Sequence, residues 1–377
     1  MMMYELMTPG PTAVAENVRM ARSGECTNPD LDPWFYDYYR DTCRMFSELV
    51  HTENETLILG GEGILGLEAA CASLTEPGDR ALVLDNGVFG RGFEDFVSMY
   101  GGNAVRYTTD YRKPIDPASL RTYLEQDSDF KYATVVHCDT PSGMCNDVAS
   151  VCRLLKSYGI LTVVDSVSAM FGEKMDADDY QIDLLLGGSQ KAISAPPGLT
   201  LVTISEEAKN AMKNRRTPIA SFYANLKAFD GYYEKQWFPY TMPISDILGL
   251  RAALENIKRE PKIVERHQEI AARVRNAVVS CGLKLYQKDG FCGTVTVFEV
   301  PKPALAADIL DKMKTEHNIL IAGSFDVMAG QVIRIGHMGE NCRAERVERT
   351  LAALDVVLSE LGVKLQGSLR DAFNKGE

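Results

Sequence analysis

From about residue 56 the chain alternates short apolar runs with amphipathic stretches, and few folds accommodate that pattern. Runs at residues 56–60, 80–84, 104–107, 132–137, 160–164 and 182–186 read as strands. Helical periodicity lies between most of them, as at residues 64–74 and 91–100. Repetition of strand and helix predicts an α/β fold: a mainly parallel sheet flanked by helices. Ligands in such sheets sit beyond the carboxyl ends of the strands, so the residues there carry the function.

Beyond Pro243 the pattern changes. Helical stretches at 245–259 and 263–281 precede strands at 294–300 and 331–335, with further helices at 304–317 and 343–361. This predicts a smaller C-terminal α+β domain. The expected division is an N-terminal arm (1–20), a large cofactor-binding domain (21–250) and a small domain (251–377).

Charge narrows the partners. Asp and Glu number 52 against 40 Lys and Arg, a net −12, which argues against a nucleic-acid or anionic-membrane surface. A small basic pocket for an anionic metabolite remains compatible with that total. No apolar run approaches the roughly 18 residues of a membrane-spanning helix. Residues 1–11 carry no Lys or Arg, unlike a signal or mitochondrial peptide, and residues 374–377 are not a peroxisomal address. The nine cysteines are scattered without a Cys-x-x-Cys pair, so neither a disulfide scaffold nor a metal module is expected. A cytoplasmic protein is expected.

Two strand-end constellations stand out. Gly61-Glu62-Gly63-Ile64-Leu65-Gly66 is a literal G-x-G-x-x-G that opens a helix, and Asp85 ends the next strand. A nicotinamide-dependent dehydrogenase has this layout, with pyrophosphate at the helix N-terminus and the acid on the ribose. Against it, Glu62 places a carboxylate beside the pyrophosphate. Two unit charges about 4 Å apart repel by ~4 kcal/mol at an effective dielectric near 20. Of the two, a glycine turn serving only close helix–strand packing is the better account of the motif.

In the second constellation, the strand at 160–164 runs into Asp165-Ser166-Val167-Ser168. The strand at 182–186 runs into Gly187-Gly188-Ser189-Gln190-Lys191, and Ala195-Pro196-Pro197-Gly198 follows. An acid and a lysine at neighbouring strand ends suit Schiff-base chemistry, the acid keeping a pyridinium nitrogen protonated. On spacing alone, a surface lysine and a helix-capping aspartate account for the pair as well.

The residues themselves are more specific. Asp165-Ser-Val-Ser, Gly188-Ser-Gln-Lys191 and Ala195-Pro-Pro-Gly198 resemble the class V aminotransferases of the alanine–glyoxylate and serine–pyruvate type. The likeness runs from Pro9-Gly10-Pro11 to Arg334-Ile335-Gly336. It implies a fold type I enzyme dependent on pyridoxal 5′-phosphate. The reaction implied is amino-group transfer between a small amino acid and a small 2-oxo acid. By resemblance, Lys191 forms the Schiff base and Asp165 partners the pyridine nitrogen. Phe89 stacks on the ring, Val167 packs on its other face, and Thr140 bonds near the ring hydroxyl. Gly63, Ile64 and Gln190, with Glu62 beside them, form the phosphate cup, and Thr241 reaches in from a second subunit of a homodimer. Gly10 and Arg334 hold the substrate, Arg334 as a two-pronged fork on its carboxylate. Cysteine desulfurases share the class but place histidines where this chain has Gln190 and Phe89, so desulfurase chemistry is disfavoured.

Two residues depart from the usual pattern. Glu62 stands where phosphate-binding relatives carry a small or hydroxylated residue, and Phe238 where many carry a tyrosine. Both are similar to pyridoxamine–pyruvate aminotransferase, which takes the unphosphorylated vitamin as substrate. That enzyme has a second arginine where this chain has Phe325. Use of the phosphorylated cofactor predicts that Glu62 turns out of the cup and leaves the Gly63 and Ile64 N–H groups to the phosphate. Use of the bare vitamin predicts that Glu62 bonds its 5′-hydroxyl. Thr241, Gln190 and Phe325 favour the first. His137 and His337 near the motifs read as packed histidines, Cys138 and Cys145 as packing residues. The aromatic run Trp34, Phe35, Tyr36, Tyr38 and Tyr39 reads as core or interface in preference to pocket mouth.

Overall fold

The computed structural model describes residues 4–376; residues 1–3 of the expected arm and residue 377 lie outside the described residues. The chain opens with β1 (Glu5–Leu6), α1 (Glu16–Arg22) and α2 (Pro33–Leu49). Asp32 caps α2 by accepting the Trp34 N–H at 3.0 Å, and Pro33 suits a first turn that needs no donor. Next come β2 (Glu55–Gly60), α3 (Gly63–Leu74), β3 (Arg80–Asp85), α4 (Val88–Met99), β4 (Asn103–Thr108) and β5 (Tyr132–Val136). A short hairpin, β6 (Cys138–Asp139) and β7 (Met144–Cys145), leads to β8 (Leu161–Asp165), β9 (Leu184–Gly188) and β10 (Leu199–Ile204).

Seven of these strands form one sheet in the order β2-β10-β9-β8-β5-β3-β4. β10 runs antiparallel to both of its neighbours, while the remaining pairings are parallel. Strands β5, β9 and β10 are buried throughout, which is why their sequences lack the regular apolar–polar alternation of a half-exposed strand.

The outer edge of β2 is closed by a side chain from α2. The Tyr39 hydroxyl donates to the Ile58 carbonyl at 2.9 Å and accepts the Ile58 N–H at 2.8 Å. One phenol thus satisfies both backbone groups that an edge strand leaves open. Phe35, Tyr36 and Tyr39 are core residues, with Phe238 stacked on Tyr36 at a centroid distance of 4.8 Å. Tyr39→Phe keeps the packing but orphans two buried backbone groups. We expect a loss of roughly 1–3 kcal/mol, read from denaturant unfolding.

The second unit follows the helices Ile244–Lys258 and Ile263–Ser280. It contains β11 (Thr296–Glu299), β12 (Ile319–Leu320) and β13 (Val332–Ile335), with the helices Ala306–His317 and Ala344–Glu360. β11 pairs antiparallel with β13, and β1 pairs parallel with β12. Residues 5–7 therefore belong to this unit: Met7 sits in the same apolar cluster as Ile270, Ile309 and Ile333. The larger cluster ends at Ile263, so the two cores meet along the Ile263–Ser280 helix. Among the described residues no helix is long and apolar enough to cross a membrane, and no group of side chains could hold a metal ion.

Candidate active site

The carboxyl ends of β2, β3, β5, β8 and β9 deliver their following residues to one pocket. Glu62, Gly63, Ile64, Leu67, Phe89, Cys138, Thr140, Asp165, Val167, Ser168 and Lys191 line it. Lys191 follows β9, and its Nζ donates to the Pro9 carbonyl at 2.6 Å. Gly10, at φ +92°, lies directly over the lysine stem; a Cβ there would meet Lys191 Cε at 2.8 Å. Only glycine fits that crossing and that backbone conformation.

Charge is balanced tightly around the amine. Burial, and next the Arg334 guanidinium, lower Lys191 from its ordinary range to about 8, while Glu62 and Asp165 oppose the shift. Asp165 ends β8 and accepts the Val167 N–H at 2.9 Å. Burial raises its carboxyl to about 7, against the lowering effects of that hydrogen bond and Lys191. Alone, this acid is poorly stabilised as an anion; a cationic partner in the pocket would restore it.

Phe89 is held by an acid from another strand end. Its N–H donates to Asp139 Oδ1 at 2.9 Å, and the Ser142 hydroxyl donates to Asp139 Oδ2 at 2.6 Å. A carboxylate at the N-terminus of α4 favours the helix there. This explains why α4 begins at Val88, three residues before the helix expected at 91–100. Arg334, in the middle of β13, donates through Nε to the Gly323 carbonyl at 2.5 Å and through Nη1 to the Thr140 carbonyl at 3.3 Å. Burial lowers it to about 10, so it remains a cation at neutral pH.

The residue expected to turn outward points inward. Glu62 is the N-cap of α3: Oε2 accepts the Ile64 N–H at 3.0 Å, and Oε1 accepts from Gln190 Nε2. The helix N-terminus carries a partial positive charge and free N–H groups, which a nearby carboxylate satisfies. Thr241 is exposed and donates to Asp30 Oδ2 at 2.8 Å, away from this chain's pocket.

A family model covers most of the chain. The model described as Aminotransferase class-V matches residues 30–320. The chain belongs to the class V aminotransferases. An uncharacterized aminotransferase of Methanocaldococcus jannaschii is 32% identical over 370 residues, covering 96% of this chain and 94% of that protein. A pyridoxamine–pyruvate transaminase of Mesorhizobium japonicum is 30% identical, covering 95% and 92%. The crystal structure of ureidoglycine–glyoxylate aminotransferase from Bacillus subtilis superposes with a TM-score of 0.95 at 28% identity, over 99% and 98% of the two chains.

Class V aminotransferases depend on pyridoxal phosphate, and the ring end of this pocket fits that cofactor. Asp165 suits the ring nitrogen, Phe89 and Val167 stand beside the ring site, and the buried Ser168 hydroxyl has no hydrogen-bond partner among the described residues. At the phosphate end, the anion fits only with Glu62 rotated off the Ile64 N–H.

The dehydrogenase alternative fails on Asp85. Its carboxylate is buried and accepts Tyr111 Oη at 2.6 Å and Thr108 Oγ1 at 3.0 Å, so it is not open to a ribose. His137 and His337 are buried and bonded to Ser166 and Thr296, with burial lowering them to about 4 and about 3. Sequence reasoning missed Leu67 and Ser168 and read Cys138 as packing only. Leu67 lies four residues after Gly63, one helical turn on, and that spacing was the available signal.

Proposed function

We propose that this aminotransferase moves an amino group between a small amino acid and a small 2-oxo acid, with pyridoxal phosphate as the carrier. The observation that carries this reading is the Lys191 amine, lowered to about 8 in one pocket with Asp165 and within the field of the Arg334 guanidinium. When bound, the cofactor supplies an aldehyde and an electron-accepting ring. Lys191, lowered to about 8 and so far closer to giving up its proton near neutral pH than an ordinary lysine, moves a proton from the substrate α-carbon and returns it on the opposite half-reaction. Asp165 holds positive charge on the ring nitrogen. Phe89 and Val167 fix the ring plane, Thr140 faces the ring hydroxyl, and Gly63, Ile64 and Gln190 receive the phosphate. Arg334, braced by two backbone carbonyls, orients the substrate carboxylate, with Gly10 beside it.

The inward Glu62 favours a second reading, transamination between pyridoxamine and pyruvate, with the bare vitamin as substrate. In that reading Glu62 accepts the 5′-hydroxyl, whereas the first requires it to swing away. Titrating the parent and Glu62→Ser with each vitamer separates them. Tighter pyridoxal-phosphate binding in the variant, with no pyridoxamine turnover in either form, supports the first reading. Pyridoxamine turnover in the parent that disappears in the variant replaces it with the second.

We also propose a homodimer in which Thr241 enters the neighbour's cup. Leu31, Trp34, Phe222, Tyr223 and Trp237 are exposed on the segments that flank Asp30 and Thr241, an apolar surface suited to a second copy. Light scattering at micromolar concentration should give a dimer; a fully active monomer would contradict it.

A further inference from the structure

Four consecutive residues of the smaller unit touch Arg334, the Thr140 loop, the pocket-lining Phe89 and the helix that carries it. The Gly323 carbonyl accepts Arg334 Nε, and the Ser324 hydroxyl donates to the Pro141 carbonyl at 3.2 Å. The Phe325 ring stands edge-on to Phe89 at 6.3 Å and 81°, with the Arg334 guanidinium 5.8 Å from its centroid. Asp326 then forms a direct ion pair with Arg91, in the first turns of α4. Asp326 holds a φ of +54°, a conformation that asparagine and aspartate tolerate better than other side-chain-bearing residues. The two side chains of the pair keep 38% and 30% of their surface exposed.

We propose that the Arg91–Asp326 ion pair, seated beside the Phe89–Phe325 contact, restricts this pocket to substrates with a single carboxylate. The inference rests on the amino acid and oxo acid reading above. A dicarboxylic substrate needs a second cation. Lys191 and Arg334 are already assigned, and Arg91, two residues after the pocket-lining Phe89, is the further cation that these contacts hold beside the pocket. Asp326 occupies it and adds a negative charge on that side. Glu62, Asp139 and Asp165 add to that field from the large-domain side, as their effects on one another and on Lys191 and Arg334 record. Phe325 contributes an apolar face where a side-chain carboxylate would lose water without gaining a partner.

Asp326→Asn tests this with little change in shape, because asparagine tolerates the same φ. The readout is kcat/KM for oxaloacetate and 2-oxoglutarate divided by kcat/KM for pyruvate and glyoxylate. We expect this ratio to rise about tenfold in the variant, through KM, as one charge-assisted contact becomes available. Adding Arg91→Gln should remove the gain. An unchanged ratio, or a gain that survives the double substitution, overturns the proposal, as does a parent equally active on both acid classes. Succinate and propionate binding, read from thermal stabilisation of the same three proteins, gives a measure independent of turnover. If no oxo acid is turned over, the functional reading fails. The ion-pair role then stands or falls on whether Asp326→Asn gains succinate binding relative to propionate.

Discussion

Replacing Lys191 with alanine is expected to abolish transamination and leave the protein folded. Lys191 is the one amine among the residues that line the pocket, and in the proposed mechanism no other lining residue can replace it. His137 is sequestered on Ser166, with burial lowering it to about 4, and Cys138 is held as a thiol by burial. Loss of both the covalent anchor and the proton carrier should lower turnover by roughly 10⁴-fold or more. Alanine with glyoxylate or pyruvate provides the assay, and a circular-dichroism melt provides the folding control. The stem is only partly buried, and its main contacts are the Pro9 carbonyl and Gly10, so the melt should change little. Turnover near the parent's in Lys191→Ala would remove the mechanism.

Asp165→Asn should have the next largest effect. The amide is close to isosteric and can still accept the Val167 N–H, but it cannot hold positive charge on the ring nitrogen. Removing one preorganised charge of this kind lowers turnover by roughly 10²–10³-fold. A second consequence follows with a defined sign. Asp165 raises the Lys191 pKa, so its loss should move the lysine below about 8. Arg334→Gln should move it upward, because the guanidinium lowers it. The pH dependence of lysine acylation in the cofactor-free proteins reads both shifts. Identical profiles in the parent and both variants would show that the three groups do not share one field.

What could be read from the sequence was local and periodic. The continuous apolar runs before Asp165 and Lys191 announce buried strands, and in this fold class a buried parallel strand aims its carboxyl end at the ligand. Element edges were less legible because caps decide them. The helix expected at 91–100 begins at Val88 since Asp139, from a distant hairpin, accepts the Phe89 N–H. The strand expected at 160–164 extends to Asp165. The reversed direction of β10 is invisible to periodicity, which is the same for either direction. Glu62 shows the limit most clearly. Charge arithmetic predicted that a carboxylate would avoid an anion cup. The helix N-terminus and Gln190 attract it instead, and the second of these partners arrives from the end of β9. Arg91 and Asp326 are equally remote in the chain and meet only through the fold.

The central claim is that Lys191 carries a vitamin B6 ring. Borohydride reduction of the purified protein, followed by peptide mass mapping, tests it most directly. The account predicts one pyridoxyl modification, on the peptide containing Lys191, absent from Lys191→Ala, with the phosphate retained on the label. A label on any other lysine, or no label after incubation with pyridoxal phosphate, would contradict it.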